Sequence, residues 1–489
     1  MSVLVAAPVV VPLVAAALML VVRARAAQRA LSAAALAASL ASAVVVLVRA
    51  WNGSGIAVVR TGGWPGDVAI TFVADRLASV LVVVAVSVMS LVLLYAIGQR
   101  SADERSPFYH PVYMALAAGV SQAFLAGDLF NLFVAFEILL MASYVLMTLE
   151  GTDDQVRSGT TYVVLNVIES TVLLAAVGLV FAATGTVSMA ELPARLAELP
   201  DGVAAALNLL LLVAFGIKAA VFPLFFWLPD SYPTAPSSVT AVFAGLLTKV
   251  GVYCLIRVHT LLFPGGFADL ILVVGAMTMV VGVLGAISHR DMKRILSFHI
   301  VSQIGYMVVG LGIGGAAALA ATVFFLVNQI PLKTSLFLVE GIVRDDAGDR
   351  AFGSVSGLAR RSPALAALFL VPALSLAGLP PLSGFVAKLA VVRAGFDADH
   401  HLVVGLALAV SLLTLVSMMK IWVGAFWGDA DGLDGGILRR RPVMAVATAG
   451  MVGLTLAIAV AGGPVYEFAE AAAREALDAA AYVDAVVAP

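Results

Sequence analysis

Residues 216–253, GIKAAVFPLFFWLPDSYPTAPSSVTAVFAGLLTKVGVY, set Lys218 and Lys249 31 positions apart in an apolar run that four prolines interrupt. Proline removes a backbone donor and clashes with the turn before it. The carbonyls it frees are tolerable in hydrocarbon only against protein or water. The stretch therefore reads as a membrane helix broken after Lys218, followed by a second helix carrying Lys249. Residues 375–392, SLAGLPPLSGFVAKLAVV, repeat the arrangement with Lys388 beyond a Pro-Pro pair, and Lys420 follows 32 positions later. One break alone is weak evidence, because proline also kinks passive helices. Two breaks with buried lysines are the mark of ion pathways in transporters built from repeated halves.

The surrounding chain agrees. Of its 489 residues 62% are hydrophobic and 12% charged, with a mean hydropathy of +1.06, whereas soluble domains carry about 25% charged residues. Apolar stretches of about 20 residues, the length that crosses ~30 Å of hydrocarbon, recur from end to end. The fold expected is all-α and integral to the membrane, with about fourteen spans: 3–22, 31–49, 72–96, 110–126, 129–149, 158–184, 203–229, 237–262, 268–288, 293–313, 318–343, 362–395, 402–427 and 442–461. The first stretch lacks a basic leader and a clear small-residue cleavage site, so it reads as a retained helix. The single Cys254 leaves no ligand set for disulfides, iron–sulfur clusters or thiolate metal sites. No phosphate-binding or dinucleotide glycine motif and no HExxH motif occurs, and a net charge of −2 offers no basic surface for nucleic acid. No cofactor is expected, and no cluster of carboxylates and carbonyls stands out as a sodium site.

Alternate loops, beginning after the first span, hold Arg23, Arg25, Arg29, Arg100, Arg105, Arg157, Arg290, Lys293, Arg294, Arg344, Arg350, Arg360, Arg361, Arg439, Arg440 and Arg441. The other side holds Arg49, Arg60, Arg195, Arg257, Arg393 and Arg474. By the positive-inside rule both termini then lie outside the cytoplasm, as an even number of spans requires. The tail from Pro464 to Ala488 is too polar to span. It reads as an external amphipathic helix, whose polar face is either solvated or a partner contact.

The chain has six lysines, and only Lys293 falls in a predicted loop; Lys218, Lys249, Lys333, Lys388 and Lys420 fall inside apolar spans. Arginine serves the loops. Arginine cannot release its proton in a protein, whereas a desolvated lysine can. A charge at mid-bilayer costs at least ~2.5–3.5 kcal/mol, so five such lysines need partners or a hydrated cavity. Lys420, near a span end, is equally consistent with snorkelling to the interface. Glu137 in FNLFVAFEILLMASYVL and Glu169 in VVLNVIESTVLLAA supply buried carboxylates. For Glu169 a fixed structural pair is the competing reading. His299 in ILSFHIVSQIGY can pass a proton between its ring nitrogens or serve as a hydrogen-bonded packing residue.

If spans 4–8 match spans 9–13, Glu137 corresponds in order to His299, Glu169 to Lys333, Lys218 to Lys388 and Lys249 to Lys420. Five is an odd number, so the two units lie in opposite topology. The expected organisation is spans 1–3 over residues 1–109, a first repeat over 110–262, an inverted second repeat over 263–427, and span 14 with the tail over 428–489. Spans 7 and 12 are the broken ones.

Four blocks carry a family resemblance: GDLFNLFVAFEILLMASYVL, KAAVFPLFFWLPDSYPTAPSSVTAVFAGLLTKVGVY, DMKRILSFHIVSQIGYM and GLPPLSGFVAK. Together they resemble the antiporter-like subunits shared by respiratory complex I, membrane-bound hydrogenases and Mrp-type antiporters, over roughly residues 70–425. Chain length and the form of span 5 are most similar to the D subunits of the Mrp multi-subunit Na+/H+ antiporters. The resemblance implies a glutamate on span 5 paired with a lysine on span 7, a relay lysine on span 8 and a terminal lysine on span 12. Here these are Glu137, Lys218, Lys249 and Lys388, with His299 and Lys333 connecting them. It implies an antiporter component and not an enzyme, in a prokaryotic cell membrane, among other membrane subunits. Protons and sodium are the implied cargo, with sodium crossing through this chain or through its partners. The alternative is a proton-pumping subunit of a redox complex. A solute symporter would need substrate-sized polar clusters, and a scaffold would not need five buried lysines.

Overall fold

The computed structural model describes residues 2–53, 55–63, 70–100, 103, 106–347, 356–428 and 436–487. Arg105 and Arg350, two of the basic residues assigned to the arginine-rich loops, lie outside the described residues. The helices are α1 (Ser2–Val21), α2 (Arg25–Trp51), α3 (Arg76–Gln99), α4 (Tyr109–Leu125), α5 (Leu129–Met147), α6 (Asp153–Thr184), α7 (Asp201–Ala219), α8 (Ser237–Leu262), α9 (Ala268–Ser288), α10 (Met292–Ile313) and α11 (Gly315–Ala347). There follow α12 in two halves, α12a (Pro363–Ala377) and α12b (Ser383–Asp397), then α13 (His401–Phe426), α14 (Pro442–Val460), α15 (Gly462–Leu477) and α16 (Ala479–Val487). Twelve helices among the described residues are long and apolar enough to cross a membrane. At the remaining two predicted spans stand the 17-residue α4 and the broken α12.

Short polar residues start several helices where the apolar runs begin. The side chains of Asp75, Asp128, Thr152 and Asp291 accept hydrogen bonds from Ala78, Asn131, Gln155 and Arg294 backbone N–H groups at 2.8, 2.6, 3.3 and 2.9 Å, satisfying donors that a helix leaves free in its first turn. Asp75 also marks where span 3 starts. Span 3 was expected from residue 72, but the β-branched and aromatic run Thr71–Ala74 is a strand, β2, paired antiparallel with β1 (Ala57–Arg60). The helix begins only after Asp75.

Burial sorts the helices into an inner set and a rim. The apolar windows of α8, α10 and α11 are 100, 94 and 83% buried within the chain, against 33% for α1, α6 and α13. The inner helices thus contact protein all round while the rim presents apolar side chains such as Val164, Ile168, Leu412 and Val416 outward, as a bilayer solvent requires. Glycine permits the tightest approach. A Cβ on Gly282 or Gly305 would stand 2.4 Å from the backbone nitrogen of Ser302 or Met279, so α9 and α10 meet backbone to backbone.

The tail differs from its solvated reading. α15 stacks Phe468 on Trp51 of α2 with ring centres 4.6 Å apart, and its Glu475 pairs with Arg76 of α3 at 2.6 Å. Tyr482 of α16 lies against the guanidinium of Arg257. Arg257 itself is not a loop residue. It is buried in α8 and paired with Asp75 at 2.5 Å. One face of the amphipathic tail is therefore docked on the chain's own helices.

Candidate functional site: a buried row of lysines

The first cluster forms where α7 stops. α7 ends at Ala219, and Ala220 takes the left-handed conformation (φ 57°) before the irregular stretch 221–226. Lys218 stands in that last turn, where the helix dipole and free carbonyls favour a cation. α8 crosses close by, since a Cβ on Gly251 would lie 2.5 Å from the Ala219 nitrogen. The Lys218 ammonium is 3.7 Å from Glu169 Oε2, donates to Asn166 Oδ1 at 3.4 Å and sits 5.6 Å from the Phe136 ring centre. Lys218 and Glu169 are both buried.

This cluster departs from the expected pair. Glu137 makes no ion-pair contact with Lys218 but its charge interacts with those of both Lys218 and Glu169, and it accepts a hydrogen bond from Ser170 of α6. Glu169 is the carboxylate in ion-pair contact with the lysine. Asn166, missed from the sequence, lies three residues before Glu169 and so on the same helix face.

Lys249 follows a π-helical turn, Phe243–Leu247. Its ammonium donates to the Ala244 carbonyl within that turn at 2.5 Å. π-turns often mark functional sites, and this one is pressed against α11. A Cβ on Gly245 would meet Thr334 Oγ1 at 2.3 Å. Lys333, next to Thr334, is fully buried, and its Nζ has no hydrogen-bond partner among the described residues. Its charge interacts with those of both Lys249 and Lys388. His299 interacts with Lys333 and Lys388; its Nε2 is 2.5 Å from Ser417 Oγ and its Nδ1 is unpartnered. The side-chain amides of Gln303 and Gln329 are likewise buried without protein partners. Buried polar atoms are seldom left unmatched, and a line of them is suited to small hydrogen-bonding species such as water.

The second break forms the other end. α12a stops at Gly378, also left-handed (φ 86°), and α12b begins at Ser383. Lys388 reaches back across the gap, donating to the Ala377 carbonyl at 3.3 Å and to Ser411 Oγ at 3.1 Å, with its ammonium 5.1 Å from the Tyr306 ring centre. Ser383 donates to Asn328 Oδ1 at 2.7 Å. The two broken helices are thus not superimposable in detail. Lys218 precedes its break and Lys388 follows its own.

The last two lysines change places with respect to expectation. Lys420 is half-buried and donates to the carbonyls of Ile287 and His289 at 2.6 and 2.5 Å. It closes the C-terminal end of α9, as cations commonly do. Lys293, expected in a loop, is buried in the first turn of α10 and donates to the Ala235 carbonyl at 2.5 Å.

Comparisons with known proteins agree with this architecture. Residues 126–414 match the family model described as NADH:quinone oxidoreductase/Mrp antiporter, TM. The Na(+)/H(+) antiporter D subunit of Alkalihalophilus pseudofirmus is 41% identical over 439 residues, 89% of this chain and 89% of that protein. The corresponding Na(+)/H(+) antiporter D subunit of Bacillus subtilis is 37% identical over 388 residues, covering 78% and 79%. A chain in the structure of the Mrp complex from Dietzia sp. superposes over the full length of both chains with a TM-score of 0.92 at 33% identity. On sequence and on fold alike, the chain belongs to the NADH:quinone oxidoreductase/Mrp antiporter transmembrane family, among its Na+/H+ antiporter D subunits.

Proposed function

We propose that this multi-pass membrane chain is the proton-translocating subunit of a multi-subunit Mrp-type Na+/H+ antiporter. It is a secondary transporter component and not an enzyme, and its partners are the complex's other membrane subunits. Relatives named as D subunits and the likeness to a chain of an Mrp complex support the assignment. The carrying observation is the buried Lys218–Glu169 pair at the broken end of α7.

In this reading protons are taken up toward Lys218, Glu169 and Glu137. They pass Lys249, Lys333 and His299 by way of water and hydroxyl groups and leave at Lys388, or run the reverse way. Mutual repulsion drives the transfer. Two charges ~7 Å apart at an effective dielectric of ~20 interact by roughly 2 kcal/mol, so a proton arriving on one lysine eases release from the next. Fourteen crossing spans, with residues 110–262 and 263–427 as inverted five-helix units, give each half a broken helix of its own. The left-handed ends at Ala220 and Gly378 support that symmetry. Both termini lie outside the cytoplasm of a prokaryotic cell, in line with the arginine-rich alternate loops.

The test is antiport by the assembled complex in everted membrane vesicles, read as sodium-dependent pH change alongside sodium flux. Lys218→Ala and Lys388→Ala each lower the rate at least tenfold, a barrier increase of about 1.4 kcal/mol. A wild-type rate for Lys218→Ala or Glu137→Ala in assembled complex overturns the scheme.

A further inference from the structure

A cavity of about 270 Å³ opens where several helix ends meet on the side of the arginine-rich loops. Its walls include Gln99 at the end of α3, Glu150 after α5, Ser237 at the head of α8, Lys293 at the head of α10, and Arg344 and Asp345 in α11. The Gln99 Oε1 atom is buried without a hydrogen-bond partner among the described residues. Beside the cavity lies Glu340, fully buried, which accepts from Ser237 Oγ at 3.2 Å and from Arg344 Nε at 3.0 Å. Its charge interacts with that of Lys293. The other titratable groups around the site among the described residues include Glu150, Asp291 and Tyr95 of α3, whose hydroxyl donates to the Leu338 carbonyl at 3.0 Å and interacts with the Glu340 charge, with Asp345 bonded to Arg441 at 2.9 Å. None of these groups belongs to the lysine row.

Glu340 nonetheless points along the same helix face as the row. It follows Lys333 by seven residues, two turns of α11, which puts the two on one face about 10 Å apart. α8 runs beside both, since its Ser237 holds Glu340 while its Ala241 carbonyl accepts from Thr334, the neighbour of Lys333. A carboxylate next to a polar cavity and aligned with a buried amine can take a proton from water and hand it on.

We propose that Glu340, with Lys293 beside it, is a proton-loading site that joins this cavity to Lys333, reaching the middle of the row without passing Lys218. The Glu340 carboxylate takes a proton from water in the cavity and becomes the neutral acid. The acid releases that proton through water to the neutral amine of Lys333, which becomes an ammonium, and Glu340 returns to a carboxylate held by Ser237 and Arg344. The ammonium form of Lys293, by attracting the carboxylate form, favours the release. This site rests on the reading that protons run along the row.

Two measurements on the intact complex decide it. In everted vesicles Glu340→Gln slows antiport at least fivefold and flattens its dependence on cytoplasmic pH, whereas Glu340→Asp restores most of the rate; loss of a merely structural bond does not flatten that profile. Lys218→Ala is run in parallel. If it alone abolishes antiport and Glu340→Gln keeps the wild-type rate and profile, the loading site is refuted and the row stands. If both keep the wild-type rate, the row itself is refuted. Water access is read separately with Gln99→Cys and a membrane-impermeant maleimide, the native Cys254 being buried. Labelling in everted but not in right-side-out vesicles supports the site even if Glu340→Gln fails to assemble. Labelling from the outer face, or from neither, overturns it.

Discussion

Glu169 carries the largest consequence of any one side chain here. It is the residue in ion-pair contact with Lys218, and both groups are buried. Removing one member of such a pair leaves the other charge uncompensated, which typically costs about 3–5 kcal/mol. Glu169→Gln therefore lowers sodium-dependent antiport at least tenfold in complex that still assembles. Lys218→Ala/Glu169→Gln double-variant vesicles lose little beyond either single change, because the two groups act as a unit. The rates of the three variants, measured at equal complex content, check this. Both members of the pair were legible in the sequence, as titratable side chains deep in apolar runs. Their pairing was not. Family resemblance pointed to Glu137, one helix away, because the rotation of α5 and α6 about their axes decides which carboxylate meets the lysine.

At the scale of elements, the broken helices were evident from proline and glycine, which act on the backbone locally. The docking of the tail was not evident, since its amphipathic pattern is equally at home on water or on another helix. The contact has its own pH dependence. Burial pushes the Glu475 carboxyl above the ordinary range, and the nearby Asp75 adds to the rise, against the N–H and guanidinium of Arg76 and the charge of Arg257, which favour the carboxylate. A raised pKa means that the docked tail holds this proton more tightly than the free tail does. Docking is thus strongest at acid pH and weakens as pH rises from the usual glutamate value of ~4.3 through the raised value. Protection of α15 and α16 from protease in purified complex falls across that window, and Glu475→Gln flattens the fall.

For the whole molecule, the sorting of arginine to alternate loops carries the prediction of topology. A tag placed after residue 487 in the assembled complex is accessible from outside intact cells and not in everted vesicles. The opposite result overturns the placement of the arginine-rich loops in the cytoplasm. The central position of α8, α10 and α11, which hold Lys249, His299 and Lys333, is a property of the whole bundle. Hydropathy marks each as a span and nothing more, because a helix hydrophobic all round looks the same facing lipid or protein. The sequence by itself determined that the chain lies in a membrane, where its helices run and where two of them break, and that lysine rather than arginine occupies the apolar interior. These follow from desolvation and backbone chemistry acting within a few turns. Only the tertiary structure decided that Glu169 meets Lys218, that Lys420 closes α9, that Lys293 lines a polar cavity with Glu340 held by two of its walls, Ser237 and Arg344, and that Lys249, Lys333 and Lys388 form one row. Such neighbours come from helices far apart in the chain, and their meeting depends on how each helix is rotated and packed against the next.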